Sequence, residues 1–181
     1  MSEQSTDSTD HSTVEDGESS VPDVRVGEQG RTVGHPTIVL VQCTGQKRDE
    51  PAKARVLYDK SDLFRKQRAY ARKAGDEWYI QSAEHGLVDP ESVLEPYDTH
   101  ARLDMTADER QQWAYEIARD ISHRVAGNAT VEILGGKHYA NPLTPELECR
   151  GIDVKEPLRG LGIGKRKRAL MDMAAELEGS A

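Results

Sequence analysis

Glu84 and His85 stand side by side where an apolar run, Trp78-Tyr-Ile-Gln-Ser-Ala83, breaks off into Gly86, Asp89 and Pro90. A carboxylate, an imidazole and a glycine turn delivered by one strand can accept a proton, donate one, and let a ligand approach the backbone. Three further segments have the same build. Cys43-Thr-Gly-Gln-Lys47 puts a thiol and an ammonium four positions apart, and Gly135-Gly-Lys-His-Tyr139 offers Lys137, His138 and Tyr139. Glu156-Pro-Leu-Arg159 runs into Gly160-Leu-Gly-Ile-Gly-Lys165, and Glu95-Pro-Tyr-Asp98 adds a ring and a carboxylate whose approach Pro96 restricts. Such a set could transfer protons through Asp98, Glu84 or His85. Lys47 or Arg159 would hold a phosphate or oxyanion, Tyr97 or Tyr139 would offer a ring for a ligand to stack on, and Cys43 and Ser82 would line the pocket.

Each of these residues also has a plainer reading. Cys43 suits a small buried hydrophobe. Lys165-Arg-Lys-Arg168 suits a solvated helix face as well as a phosphate contact. The Gly160–Gly164 run is no dinucleotide fingerprint, because it opens the last helix instead of following the first strand, though that helix N-terminus suits an anion. His85, His138 and Asp98 lack a diagnostic metal-ligand spacing, and no H-E-x-x-H or paired C-x-x-C occurs, so neither metal nor cofactor is expected. Asp98 suits a turn-capping carboxylate as well as a catalytic one.

The elements that must position these groups alternate along the chain. Pro36–Cys43 is a near-continuous β-branched run, as in a strand covered on both faces. Ser61 caps a helix to Ala74 that stops at Gly75, and Glu77–Ser82 is a second strand. Thr106-Ala-Asp-Glu109 is a capping box; Trp113, Ile117, Ile121 and Val125 then line one helix face, closed by Gly127. Thr130–Gly135 reads as a third strand. Thr144-Pro145 reads as the cap and first position of a short helix reaching Cys149. Gly151–Lys155 is a fourth strand, and Gly162–Leu177 a last helix with Ile163, Leu170, Ala174 and Leu177 inward. The expected fold is a three-layer α/β domain over residues 35–181, with a four-stranded, mainly parallel sheet. Parallel strands point their C-terminal ends to one rim, so the four polar loops should converge there.

Composition sets the limits. The chain has 181 residues and net charge −8, but residues 1–34 alone carry −6, leaving the body near balance and open to an anionic partner. Those 34 residues are Ser, Thr, Asp and Glu with few bulky apolar side chains, and are expected to form a disordered acidic tail. They lack the basic and apolar regions of a secretory signal, and no apolar run reaches the roughly 18 residues of a membrane span. Two cysteines are too few for a disulfide framework. A cytoplasmic location follows as the expectation. With 15 Arg against 9 Lys, the acidic tail also fits a salt-adapted source.

The motifs from Val41-Gln-Cys43-Thr-Gly-Gln-Lys47 through Gln81-Ser-Ala-Glu-His-Gly86, Glu95-Pro-Tyr-Asp98, Gly135–Tyr139 and Pro157–Lys165 resemble a domain-of-unknown-function family of small bacterial, phage and archaeal proteins. That resemblance covers about residues 36 to 172. More distantly, the chain is similar to the core domain of archaeosine synthase, which modifies a deazaguanine base in tRNA. Cys43 and Lys47 match its Cys and Lys. Ser82, Gly86, Leu87, Val88 and Pro90 match its later strand end, and Tyr97-Asp98 matches its Tyr-Asp pair. Arg48-Asp49 departs from the Pro-Tyr expected there. The resemblance implies a uracil-DNA glycosylase-like fold and an enzyme that modifies a nucleobase, nucleotide or nucleic acid by group transfer or N-glycosidic chemistry. The alternative is a non-catalytic module that binds a nucleotide or nucleic acid in the same cleft.

Overall fold

Aliphatic side chains fill Thr37–Gln42 (β1), where Ile38, Val39, Leu40 and Val41 are all buried. Successive strand residues face opposite ways, so a strand buried at consecutive positions is covered on both sides. The computed structural model describes residues 35–100, 104–125 and 128–179. After β1 come β2 (Ala52–Lys53), α1 (Ala54–Leu57), α2 (Asp62–Ala74), β3 (Glu77–Ser82), β4 (Gly86–Val88) and β5 (Val93–Leu94). Then follow α3 (Ala107–Arg124), β6 (Thr130–Ile133), α4 (Lys137–Glu148), β7 (Asp153–Lys155) and α5 (Ile163–Gly179).

β1 pairs in parallel with β3 and β6, and β6 in parallel with β7. β4 folds back antiparallel on β3, giving the order β4-β3-β1-β6-β7. The sheet is therefore five-stranded and mixed, which corrects the expected four-stranded sheet. Gly86 pairs with Ser82 across a three-residue loop and takes a φ of +67°, a left-handed conformation that closes such hairpins at little cost for glycine. Three residues are too few to show a strand's alternation, so β4 read as part of a polar turn. β2 and β5 form a separate antiparallel ladder.

The helices pack as two pairs, α2 with α5 and α3 with α4. Ser61 caps α2, accepting from the Phe64 N–H, and Thr106 and Glu109 form the reciprocal box that starts α3. α3 buries Trp113, Ile117 and Ile121; Val125 follows its last turn half-buried, and Gly127 lies outside the described residues. α4 begins seven residues before the expected Thr144. Pro142 and Pro145 lie inside it and remove two ladder N–H groups, but burial of Tyr139, Ala140, Leu143 and Leu147 along one face outweighs that loss. Lys137–Tyr139 thus form a helical turn, not a loop. In α5, Leu170 is buried and Ala174 half-buried, whereas Ile163 and Leu177 are exposed, contrary to expectation. The position one turn before Leu170 is filled by Arg166. The tail expected at residues 1–34 lies outside the described residues, among which no helix is long and apolar enough to cross a membrane.

Candidate functional site at the sheet rim

Cys43 follows β1 and Ser82 ends β3, so adjacent parallel strands deliver them together; the Cys43 N–H continues the ladder onto the Gln81 carbonyl at 3.1 Å. The loop after β5 lays Tyr97 across this point. Its hydroxyl lies 2.6 Å from both the Tyr58 hydroxyl and Ser82 Oγ. Ser82 Oγ also accepts the N–H groups of Glu84 at 3.2 Å and His85 at 3.1 Å, while Trp113 Nε1 donates to the Ser82 carbonyl at 2.7 Å. Lys47 Nζ stands 4.1 Å from the centre of the Tyr97 ring, and the His85 ring meets Tyr97 edge-on at 4.9 Å. Cys43 Sγ lies 3.3 Å from the Tyr139 hydroxyl, and Tyr139 packs edge-on against Trp113.

Lys47 is only 8% exposed. Burial pulls its pKa below the usual value, against the opposing pull of Cys43 and Asp98. An amine in such surroundings spends more of its time as the neutral, nucleophilic form than a surface lysine does. Burial raises the pKa of Tyr58 and Tyr97, so both stay neutral and can relay hydrogen bonds through Tyr97 to Ser82. Beneath them the Gln81 amide is fully buried, with no partner for either polar atom among the described residues.

The expected residues therefore fall into one cluster and four satellites. Cys43, Lys47, Ser82, Tyr97 and Tyr139 meet at the rim. Asp98 is exposed and reaches Lys47 through its field. Glu84 and His85, both exposed, line a neighbouring cavity of about 720 Å³ against α3, where Glu84 accepts from the Thr99 hydroxyl. Lys137 and Arg159 line a cavity of about 510 Å³; the Arg159 side chain is 68% exposed and paired with Glu156 at 2.7 Å. His138 lines a pocket of about 310 Å³ with Cys43, Gly45, His100, Tyr139 and Arg166. A further cavity of about 800 Å³ shares no residue with the cluster, and its Arg68–Asp59 and Arg55–Glu91 pairs satisfy one another. Among the described residues no group of three or more His, Cys, Asp or Glu could hold a metal ion.

Tyr58, His100 and Arg166 belong to these surroundings although sequence reasoning did not select them. Arg166 had a visible signal. It sits four residues before Leu170 on the apolar stripe of α5, a position for a core side chain, but its basic neighbours marked the run as a solvated face. Tyr58 and His100 lie in irregular segments and carry no periodicity.

A model described as a family of unknown function, DUF6884, matches residues 38–172. No curated protein and no solved structure matches the chain.

Proposed function

We propose that this chain, which belongs to the DUF6884 family of unknown function, binds a nucleobase-bearing ligand at the sheet rim and modifies it, with Lys47 as the attacking or proton-accepting amine. The observation that carries this reading is the buried Lys47 amine over the Tyr97 ring, which makes no hydrogen bond to any described residue and whose pKa burial lowers. A neutral amine can attack an electrophilic carbon or take a proton from a water that does so. Tyr58, Tyr97 and Ser82 offer neutral donors beside it. The resemblance of Cys43, Lys47, Ser82, Tyr97 and Asp98 to the archaeosine synthase core supports the choice of a base-modifying reaction over other group transfers. The ligand would be a nucleotide or a nucleic acid.

One observation favours a second reading, a module that binds without turnover. Asp98, Glu84 and His85, the expected proton-transfer groups, are exposed, and Glu84 is engaged by Thr99 instead of facing Lys47. Thermal melts of the wild type and Lys47→Ala with nucleobases, nucleotides, tRNA and single-stranded DNA find the ligand. A ligand at a hundred times its dissociation constant adds about 2.7 kcal/mol of stability. Mass analysis of the ligand after incubation then separates the readings. Product formed by the wild type and lost in Lys47→Ala supports catalysis; unchanged ligand with both proteins supports binding alone.

A further inference from the structure

The buried charged side chains among the described residues are Lys47 and Arg166. Lys47 belongs to the site above; Arg166, in the first turn of α5, does not. It is 8% exposed, and among the described residues it forms no ion pair with a carboxylate. Its Nη2 donates to the Leu134 carbonyl at 3.1 Å, an oxygen that also accepts Gln67 Nε2 at 2.8 Å. Its Nε is fully enclosed, without a partner among the described residues. A guanidinium carries five N–H donors and stays charged, so most of this one's hydrogen-bonding capacity is unmatched in a place where an unpaired charge is costly.

The surroundings show where a counter-charge would sit. Arg166 lines both the pocket of about 310 Å³ beside Cys43 and Tyr139 and the cavity of about 510 Å³ beside Lys137 and Gly162. Gly136 lines both as well. It is the N-cap of the 12-residue α4, and its own N–H donates to Gln42 Oε1 at 2.7 Å, so the positive end of that helix borders both cavities with one of its N–H groups already matched. A β-carbon at position 136 would stand 3.5 Å from both Arg166 Nη1 and Gln42 Oε1, so the glycine leaves space between the guanidinium and that amide oxygen.

We propose that Arg166 and the N-terminus of α4 form an oxyanion subsite that takes a phosphate or carboxylate group of the ligand bound at the rim. The inference deepens the reading above and rests on it for the rest of the ligand, not for the anion. A planar guanidinium matches both oxyanions in two-point geometry, and the helix end adds its positive dipole.

Melting curves of the full chain test the subsite, in sodium chloride, sodium phosphate and sodium acetate at matched ionic strength, and separately with guanosine and guanosine 5′-monophosphate. Phosphate or acetate should raise the wild-type Tm by about 2–4 °C over chloride; whichever does so identifies the group. Arg166→Met should abolish that rise, yet melt at or above the wild type in chloride, because it removes an unpaired buried charge. Gly136→Ala keeps the arginine, meets its neighbours at ordinary contact distances, and should also lose the rise, which covers failure of the first variant to fold. Equal anion shifts in wild type and Arg166→Met, or no shift in the wild type, would overturn the subsite. Guanosine binding without any anion effect would leave the base-modifying reading standing and remove the subsite. An anion effect without binding of either guanosine compound would do the reverse.

Discussion

Lys47 concentrates the residue-scale chemistry, and its titration can be read directly. Its pKa is lowered from the ordinary 10.5 by burial, so between the lowered value and 10.5 the unfolded chain binds more protons than the folded one. Stability from this group therefore rises with pH across that window, as the buried charge is neutralised. Lys47→Met removes the charge at every pH. Its Tm relative to wild type should be highest at neutral pH and should fall as pH approaches 10.5; a pH-independent difference would mean that Lys47 is not buried as a charge. Asp98 calls for a kinetic test. If it assists proton transfer, Asp98→Asn should lower turnover by a factor on the order of 100 with little change in ligand affinity. Equal turnover would leave it the field it exerts on Lys47. Nearer α3, Asp104 accepts the His100 N–H at 2.5 Å.

Two junctions carry most of the positioning at the scale of elements. Gly135 joins β6 to α4 directly over the buried Gln81 amide. A β-carbon there would lie 2.4 Å from Gln81 Nε2 and 3.1 Å from Tyr139 Cβ, so something must move. Gly135→Ala should cost about 1–3 kcal/mol in denaturant melts, in the range of overpacked cores. The loss should be smaller in a Gln81→Ala background, since the two changes share one contact. The α3 capping box is the second junction. Thr106 holds the Glu109 carboxyl below its usual pKa through the Thr106 backbone N–H and hydroxyl. That contribution is present above pH 4.5 and is lost as pH falls through the lowered value. Thr106→Ala should lower Tm by about 2–4 °C at pH 7 and by less at pH 3.

For the whole molecule, the composition of residues 1–34 predicts that they add nothing to the core. Removing them should leave Tm within about 1 °C of the full chain, and a drop of several degrees would show that they pack. The same removal takes away six of the chain's eight net negative charges. Association with an anionic ligand should therefore quicken most at low salt, where charge effects reach furthest.

Four strands and the starts of α2 and α3 were legible in the sequence because their signals are local: β-branched runs, a Ser N-cap, a capping box and a stripe every four residues. So was the meeting of the segments after β1 and β3, bearing Cys43, Lys47 and Ser82, since parallel strands bring their ends to one rim; Tyr97 arrives there from the loop after β5 and Tyr139 from the first turn of α4. Three things were decided by tertiary structure. β4 exists because Ser82 and Gly86 pair across a turn, and its three residues hold no pattern of their own. α4 starts at Lys137 despite its two prolines because Tyr139 and Leu143 are buried against neighbours that no local propensity records. Arg166 is enclosed because α5 turns that one position of a basic run inward, while Lys165 and Arg168 stay exposed. Sequence fixes which side chains are available; burial, set by packing between distant segments, decides which of them lose water and so acquire altered chemistry.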